Sequence, residues 1–293
     1  MNLRLLQVRL SPALRAADPY DALVSSLVSR LSRRPPALEQ TPAPAAVAAD
    51  AVPYYGGSSR TGVLLVHGFT GSPRSMRAWA EHLEADGFQV ALPRLPGHGT
   101  SWQELALTEW PDSYACVERE FARLKQSCDQ VFVCGLSMGG TLALLLAERQ
   151  GEQVAGLVLV NAVVTSTDRR ALALPVLRLL LPTLAGIAND VAKPGVQEGG
   201  YDRTPLRAAY SMTKMWREVR EHLALVTQPL LVFRSVVDHV VDPSSGRVIL
   251  GSVGSSDVRE QLLSRSYHVA TMDYEANDIF VGSSAFFRRL QKD

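Results

Sequence analysis

Cysteine is scarce in this chain. Three residues, Cys116, Cys128 and Cys134, in 293 are too few, and odd in number, to make a disulfide framework, which points to a reducing interior. Charge of one sign is lacking as well. The balance of 30 basic and 29 acidic residues leaves a formal net charge of +1, so nothing draws the chain generally to nucleic acid or to an anionic membrane. Long apolar runs are missing. ALALPVLRLLLP comes nearest, and Arg178 and two prolines break it, so the reading expects no transmembrane segment. The opening MNLRLLQVRLSPALR builds no secretory apolar core, because Arg4, Arg9 and Arg15 interrupt it, and a cytoplasmic protein is expected. The 6 histidines are scattered, with no zinc-protease helix pair and no Cys/His cluster at finger spacing. No glycine loop ends in G-K-[ST], and Gly97-His98-Gly99 lacks the third glycine of a dinucleotide loop. The reading therefore calls for no metal and no cofactor.

What is present is apolar side chain, 46% of the residues, enough for a sizeable core, in a length that allows one large α/β domain or two small ones. Residues 1–53 read differently from the rest. Tyr20 to Arg34 carries Leu23, Leu27 and Leu31 at helical spacing, and PPALEQTPAPAAVAADAVP follows it without any periodicity. An Ala/Pro tract of this kind buries too little to offset its chain entropy, so residues 1–53 are expected to form a flexible extension. Residues 54–293 are expected to form the domain. There, continuous apolar runs at 63–67, 88–93, 131–136, 155–161 and 229–234 alternate with helical patterns, the signature of a mostly parallel central sheet flanked by helices. Residues 163 to about 226 break the alternation. They show helical spacing, as in Met212, Met215, Trp216 and Val219, and no convincing strand. They read as a small helical cap inserted over one end of the sheet.

The strongest chemical signal is Gly135-Leu136-Ser137-Met138-Gly139-Gly140, directly after a strand and before a helix. G-x-S-x-G in this setting has a steric cause. The turn is so tight that side chains at Gly135 and Gly139 would collide with the neighbouring elements, and the strain pushes the Ser137 hydroxyl out over the carboxyl end of the sheet. A serine hydroxyl needs a base, and the base needs an orienting acid. With the order Ser, acid, His, His268 is the expected base; it lies in a loop between a possible last strand (Val258 to Leu263) and the final helix. His239 follows the preceding strand too closely. For the acid, Asp238 is favoured over Asp242, which precedes Pro243 and suits the start of the next helix. Backbone N–H groups of Met138 and of Phe69, in His67-Gly68-Phe69-Thr70-Gly71, are the expected oxyanion donors. His67 and His98 read as structural.

The segments VLLVHGFTGSP, LPGHG, GLSMGG, VREHL, SVVDHVV and SYHVATMDYE closely resemble the bacterial carboxylesterase and monoacylglycerol-lipase-like branch of the α/β-hydrolases, over about residues 60 to 290. The resemblance implies the α/β-hydrolase fold, Ser137 as nucleophile, Asp238 as acid, His268 as base, and Phe69 and Met138 at the oxyanion hole. It also narrows the partner to a small, lipid-like carboxylic ester with an apolar acyl group. A helical cap between the sixth and seventh strands is implied too. Within the cap, Leu172, Leu174, Val176, Leu177, Leu179, Leu180 and Leu181 are the expected acyl pocket, and Arg169, Arg170 and Arg178 are expected to face water. The same set of groups also serves thioesters, lactones and C–C bonds, and a binding protein that kept the fold is the reading from another class.

Overall fold

Strict alternation along the strands gives this protein a core on both faces of one sheet. In β2 (Thr61–Val66) Val63 and Leu65 pack on one side, Leu64 and Val66 on the other. β4 (Gln130–Leu136), β5 (Gly156–Val160) and β8 (Leu230–Ser235) do the same: Val133, Leu159 and Val232 face one cluster, Cys134, Val158 and Phe233 the other. Strands buried on both faces have no polar side, which is why they read as continuous apolar runs.

The computed structural model describes residues 45–186 and 189–291, with the backbone alone for 169–172. Its main sheet has seven strands in the order β1-β3-β2-β4-β5-β8-β9. β1 (Tyr54–Gly56) runs antiparallel to β3 (Gln89–Leu92), and the remaining pairings, out to β9 (Val258–Leu263), are parallel. On one face lie α3 (Trp110–Lys125) and α4 (Met138–Gln150), joined by α6 (Leu206–His222). α1 (Arg77–Ala85) and the last helix, α8 (Ala276–Leu290), cover the other. The helical spacing of Tyr114, Val117, Phe121 and Leu124 is the buried stripe of α3. α4 is buried on all sides from Met138 to Ala147, as a helix enclosed between a sheet and other helices must be. Two further helices are α2 (Trp102–Leu105) and α7 (Ser244–Ser252).

The long insertion lies between β5 and β8, the fifth and sixth strands of the main sheet among the described residues. It carries α5 (Arg169–Leu180) and α6, and it is not wholly helical. β6 (Thr183–Ala185) and β7 (Arg203–Pro205) pair antiparallel within it. Three residues per strand leave no room for an alternation to be seen, so this ribbon has no signature in the sequence.

The helix read over Tyr20 to Arg34 lies outside the described residues, as does most of the Ala/Pro tract. Its last stretch is docked rather than free. Ala45 N–H donates to Glu104 Oε1 (2.8 Å), Ala48 N–H donates to Gly99 O (2.9 Å), Asp50 pairs with Arg74, and Ala51 is 1% exposed. Alanine is small enough to bury in a groove beside Gly99, and its backbone hydrogen bonds fix it there without any periodic pattern.

Candidate active site

Strand β4 ends at Leu136 and α4 begins at Met138, so Ser137 alone makes the turn. Its backbone sits at φ 55°, ψ −118°, a conformation that L-residues avoid. The surrounding glycines explain how it is held. A Cβ at Gly135 would lie 2.3 Å from Gly139 O, and one at Gly139 only 1.9 Å from Val66 O. The steric reading of the motif is thus met atom by atom, and Ser137, 9% exposed, reaches the wall of a cavity.

That cavity, about 530 Å³, counts Gly68, Phe69, Ser137, Met138 and His268 among its lining residues. Met138 is the first residue of α4, where an N–H has no helical carbonyl to meet. Phe69 follows β2, and no hydrogen bond among the described residues uses its N–H. Both residues line the cavity together with Ser137. No hydrogen bond joins Ser137 Oγ to His268 here; the two side chains share the cavity wall, and such contacts often tighten only around a bound substrate.

Behind His268 stands Asp238, and their side chains are 8% and 7% exposed. His268 Nδ1 lies 2.8 Å from Asp238 Oδ2, so the ring donates from Nδ1 and leaves Nε2 free to accept a proton. Asp238 Oδ1 accepts the N–H groups of Val240 and Val241, both at 2.8 Å, which fixes the carboxylate plane. Burial alone would push the imidazole down. The hydrogen bond and charge of Asp238, helped by the charges of Glu198 and Asp190, outweigh it and hold His268 above the ordinary histidine value.

The other candidates are placed elsewhere. His239 Nδ1 pairs with Asp190 Oδ1 at 2.7 Å. Asp242 Oδ1 accepts the Ser244 N–H at the first turn of α7 (2.9 Å), and its Oδ2 accepts the Thr167 N–H (3.0 Å). Burial would raise this carboxyl, but those hydrogen bonds hold it down at about 2. His67 is fully buried, donating from Nδ1 to Gly68 O (2.9 Å) and accepting the Leu95 N–H at Nε2 (3.1 Å). Burial and the neighbouring His98 push it down to about 3. His98, likewise buried, is pushed to about 4. Both rings stay neutral and brace the loops around the site.

The far walls differ from expectation. Of the leucines of α5, Leu174 lines the cavity, whereas Val176, Leu179 and Leu180 are exposed, as is Leu181 beyond its end. One helix can turn only one stripe inward, and α5 is apolar nearly all round. The walls come instead from Leu184 in β6 and from Leu206, Ala209, Met212 and Trp216 in α6. Arg178 stacks its guanidinium 4.2 Å from the Tyr210 ring centroid, a cation–π contact rather than a free aqueous charge. The side chains of Arg169, Arg170 and Leu172 lie outside those described.

Four residues that sequence reasoning passed over bear on the site. Glu198 lines the cavity at 8% exposure, and a Cβ at Gly71 would lie 2.7 Å from its Oε1. Burial pushes its carboxyl above the usual range, against the pull of His268. Tyr201 ties the loops together: its N–H donates to Thr70 O (3.1 Å) and its hydroxyl to Gly97 O (2.8 Å). Asn161, at φ 46° just past β5, accepts the Ser235 N–H (2.8 Å) and donates to His268 O (2.8 Å). Asp190, a cavity-lining carboxylate, accepts the His268 N–H at 3.2 Å.

Comparison with known proteins finds a match over residues 57–275 to the model of a family described as serine aminopeptidase, S33. A thermostable monoacylglycerol lipase of Bacillus sp. (strain H-257) is 39% identical over 245 residues, 83% of this chain and 96% of that protein. A carboxylesterase of Bacillus subtilis (strain 168) is 25% identical over 231 residues, 78% of this chain and 92% of its own length. Among solved structures, one reported in work on two metagenome-derived lipolytic enzymes, LipS and LipT, superposes with a TM-score of 0.81 at 38% identity. It covers 83% of this chain and 100% of its own.

Proposed function

Because the chain belongs to the serine aminopeptidase S33 family and is a carboxylic ester hydrolase of the α/β-hydrolase fold, we propose that it cleaves esters of apolar acyl chains, monoacylglycerols among them, through Ser137, Asp238 and His268. One observation carries the reading. One cavity is lined both by Ser137, His268, Phe69 and Met138 and by the apolar side chains of Leu174, Leu206, Met212 and Trp216.

The chemistry follows from the placement. His268 Nε2 takes the Ser137 proton as Oγ attacks the ester carbonyl, and the Phe69 and Met138 N–H groups hold the oxyanion. Collapse of the tetrahedral adduct expels the alcohol, which leaves with the proton from His268. Water then gives a proton to the same nitrogen and attacks the acyl-enzyme, and the adduct collapses to the carboxylic acid as Nε2 returns its proton to Ser137 Oγ. Asp238 keeps the proton on Nδ1 throughout and stabilises the imidazolium. The Glu198 carboxyl lines the same cavity and offers an acceptor for a hydroxyl of a polyol alcohol.

The test is a rate profile over p-nitrophenyl esters of rising acyl length and over monoacylglycerols, with Glu198→Ala alongside the native enzyme. The proposal expects medium or long chains to be preferred to acetate, and KM for the monoacylglycerol to rise in the variant while that for the p-nitrophenyl ester stays put. A preference for acetate would overturn the apolar acyl assignment. Equal KM changes on both substrates would remove Glu198 from the alcohol side.

A further inference from the structure

The loop that carries His268 is held by carboxylates along its length. Ser264 and Arg265 donate their N–H groups to Glu275 (3.0 and 2.9 Å), and the Ser266 hydroxyl donates to Glu275 Oε2 (2.9 Å). The Tyr267 N–H meets Asp273 Oδ2 at 2.9 Å, and the His268 N–H meets Asp190 Oδ2 at 3.2 Å. Glu275 and Asp273 follow a few residues later in the same stretch, so their bonds are local. Asp190 comes from the insertion, 78 residues before His268.

The segment around Asp190 is itself tied to this loop. Val269 N–H donates to Asp190 O (3.0 Å), and the N–H groups of Ala192 and Lys193 donate to Asp273 (2.7 and 3.0 Å). Asn189 turns the chain with φ 68° and accepts the Glu198 N–H at 2.7 Å. The same oxygen of the Asp190 carboxylate also meets the residue next to Asp238. Oδ2 accepts the His239 N–H (3.1 Å), and Oδ1 lies 2.7 Å from His239 Nδ1. One carboxylate therefore bonds the backbone of His268 and the backbone beside Asp238.

We propose that Asp190 is a positioning residue for His268, bridging the loop of the base to the loop of the acid and so fixing the imidazole that faces Ser137. The proposal rests on the Ser137–Asp238–His268 reading. Three charged groups face the His268 ring: Asp238 from the loop after β8, and Glu198 and Asp190 from the insertion. Asp190 thus acts in two separable ways, as a bridge of hydrogen bonds and as a negative charge that favours the imidazolium.

Two variants separate them. Asp190→Ala removes both bridge and charge. In Asp190→Asn the amide oxygen can keep the two backbone donors while its NH₂ faces His239 Nδ1, which accepts in its other tautomer, so the bridge stays and the charge goes. With p-nitrophenyl butyrate, and rates normalised to active sites titrated by a fluorophosphonate, Asp190→Ala is expected to lower kcat by about 10–100-fold, the scale of a misplacement approaching 1 Å, with little change in KM. Asp190→Asn should recover most of that loss and move the acid limb of kcat/KM to lower pH. Native kcat in Asp190→Ala overturns the proposal, as does an equal loss in both variants with an unmoved acid limb. Should Asp190→Ala fail to fold, the acid limb of Asp190→Asn decides: moved down supports the proposal, unmoved refutes it. Ser137→Ala and His268→Ala run on the same substrate, with rates taken per mole of protein because neither offers a reliable fluorophosphonate titre. If either retains native activity, the reading beneath the proposal falls; if both are inactive while Asp190→Ala is unimpaired, the bridge alone falls.

Discussion

Replacing Asp238 with Asn changes one atom, and the structure dictates which way the amide must turn. Oδ1 of Asp238 is claimed by two backbone donors, Val240 and Val241, at 2.8 Å each. An Asn oxygen must take that place, because an NH₂ there would face two N–H groups. The amide NH₂ is then forced toward His268 Nδ1, 2.8 Å away in the native enzyme. Nδ1 has to accept, its proton moves to Nε2, and the nitrogen facing the cavity can no longer take a proton from Ser137. Loss of the correct tautomer in a serine triad costs about 10⁴-fold in kcat, or about 5 kcal/mol of transition-state stabilisation. The fold should barely notice, since shape and backbone bonds persist. The assay is kcat on p-nitrophenyl butyrate at neutral pH, with a thermal melt beside it. Asp242→Asn serves as the control, with a loss below about tenfold expected because Asp242 contacts Thr167 and Ser244 instead of His268. Asp238→Asn retaining more than about a tenth of native kcat would refute the tautomer argument, against the 10⁴-fold loss it requires.

Three further outcomes follow from the same geometry. Gly139→Ala places a methyl 1.9 Å from Val66 O, and the three nearest atoms, in Val66 and His67, are all backbone; it should cost about 1–3 kcal/mol of stability and, by displacing the loop after β2, about 10²-fold in kcat/KM. An unchanged melt and rate would contradict the elbow geometry. Because catalysis needs the neutral imidazole and His268 is raised, the acid limb of kcat/KM should fall above the unperturbed value of about 6.5; a limb well below it would contradict the assignment. Stability linked to the same group is full below that unfolded value and is lost as pH rises through the folded one. Met212→Trp fills part of the cavity from α6 and should shift the preferred acyl chain to a shorter length; an unaltered chain-length profile would place the acyl group elsewhere.

The features readable from the sequence are those whose cause is local. The motif at Ser137 is a steric statement about neighbouring residues, and the apolar runs of β2, β4, β5 and β8 encode burial on both faces directly. Asp238 and His268 were readable as members of successive loops, because the order of elements in this fold carries them. Asp190, Glu198, Asn161 and Tyr201 left no such trace. Each acts across the fold: Asn161 reaches His268 over 107 residues, and the Tyr201 hydroxyl reaches Gly97 over 104. No spacing rule spans such distances. The walls of the cavity failed to show for the opposite reason. α5 is so uniformly apolar that its pattern does not say which stripe turns inward, while Met212 and Trp216 read simply as part of an amphipathic helix. The β6–β7 ribbon, three residues to a strand, is too short to have a period.

The central claim is that Ser137 is the nucleophile and His268 its base. It is tested most directly by labelling the protein with a fluorophosphonate and locating the adduct by peptide mass spectrometry, with esterase activity followed in parallel. The account predicts a single adduct on Ser137, slowed labelling in His268→Ala, and a loss of at least about 10³-fold in kcat for Ser137→Ala. An adduct on another residue, no adduct at all, or a Ser137→Ala enzyme that still hydrolyses p-nitrophenyl esters at the native rate would contradict it.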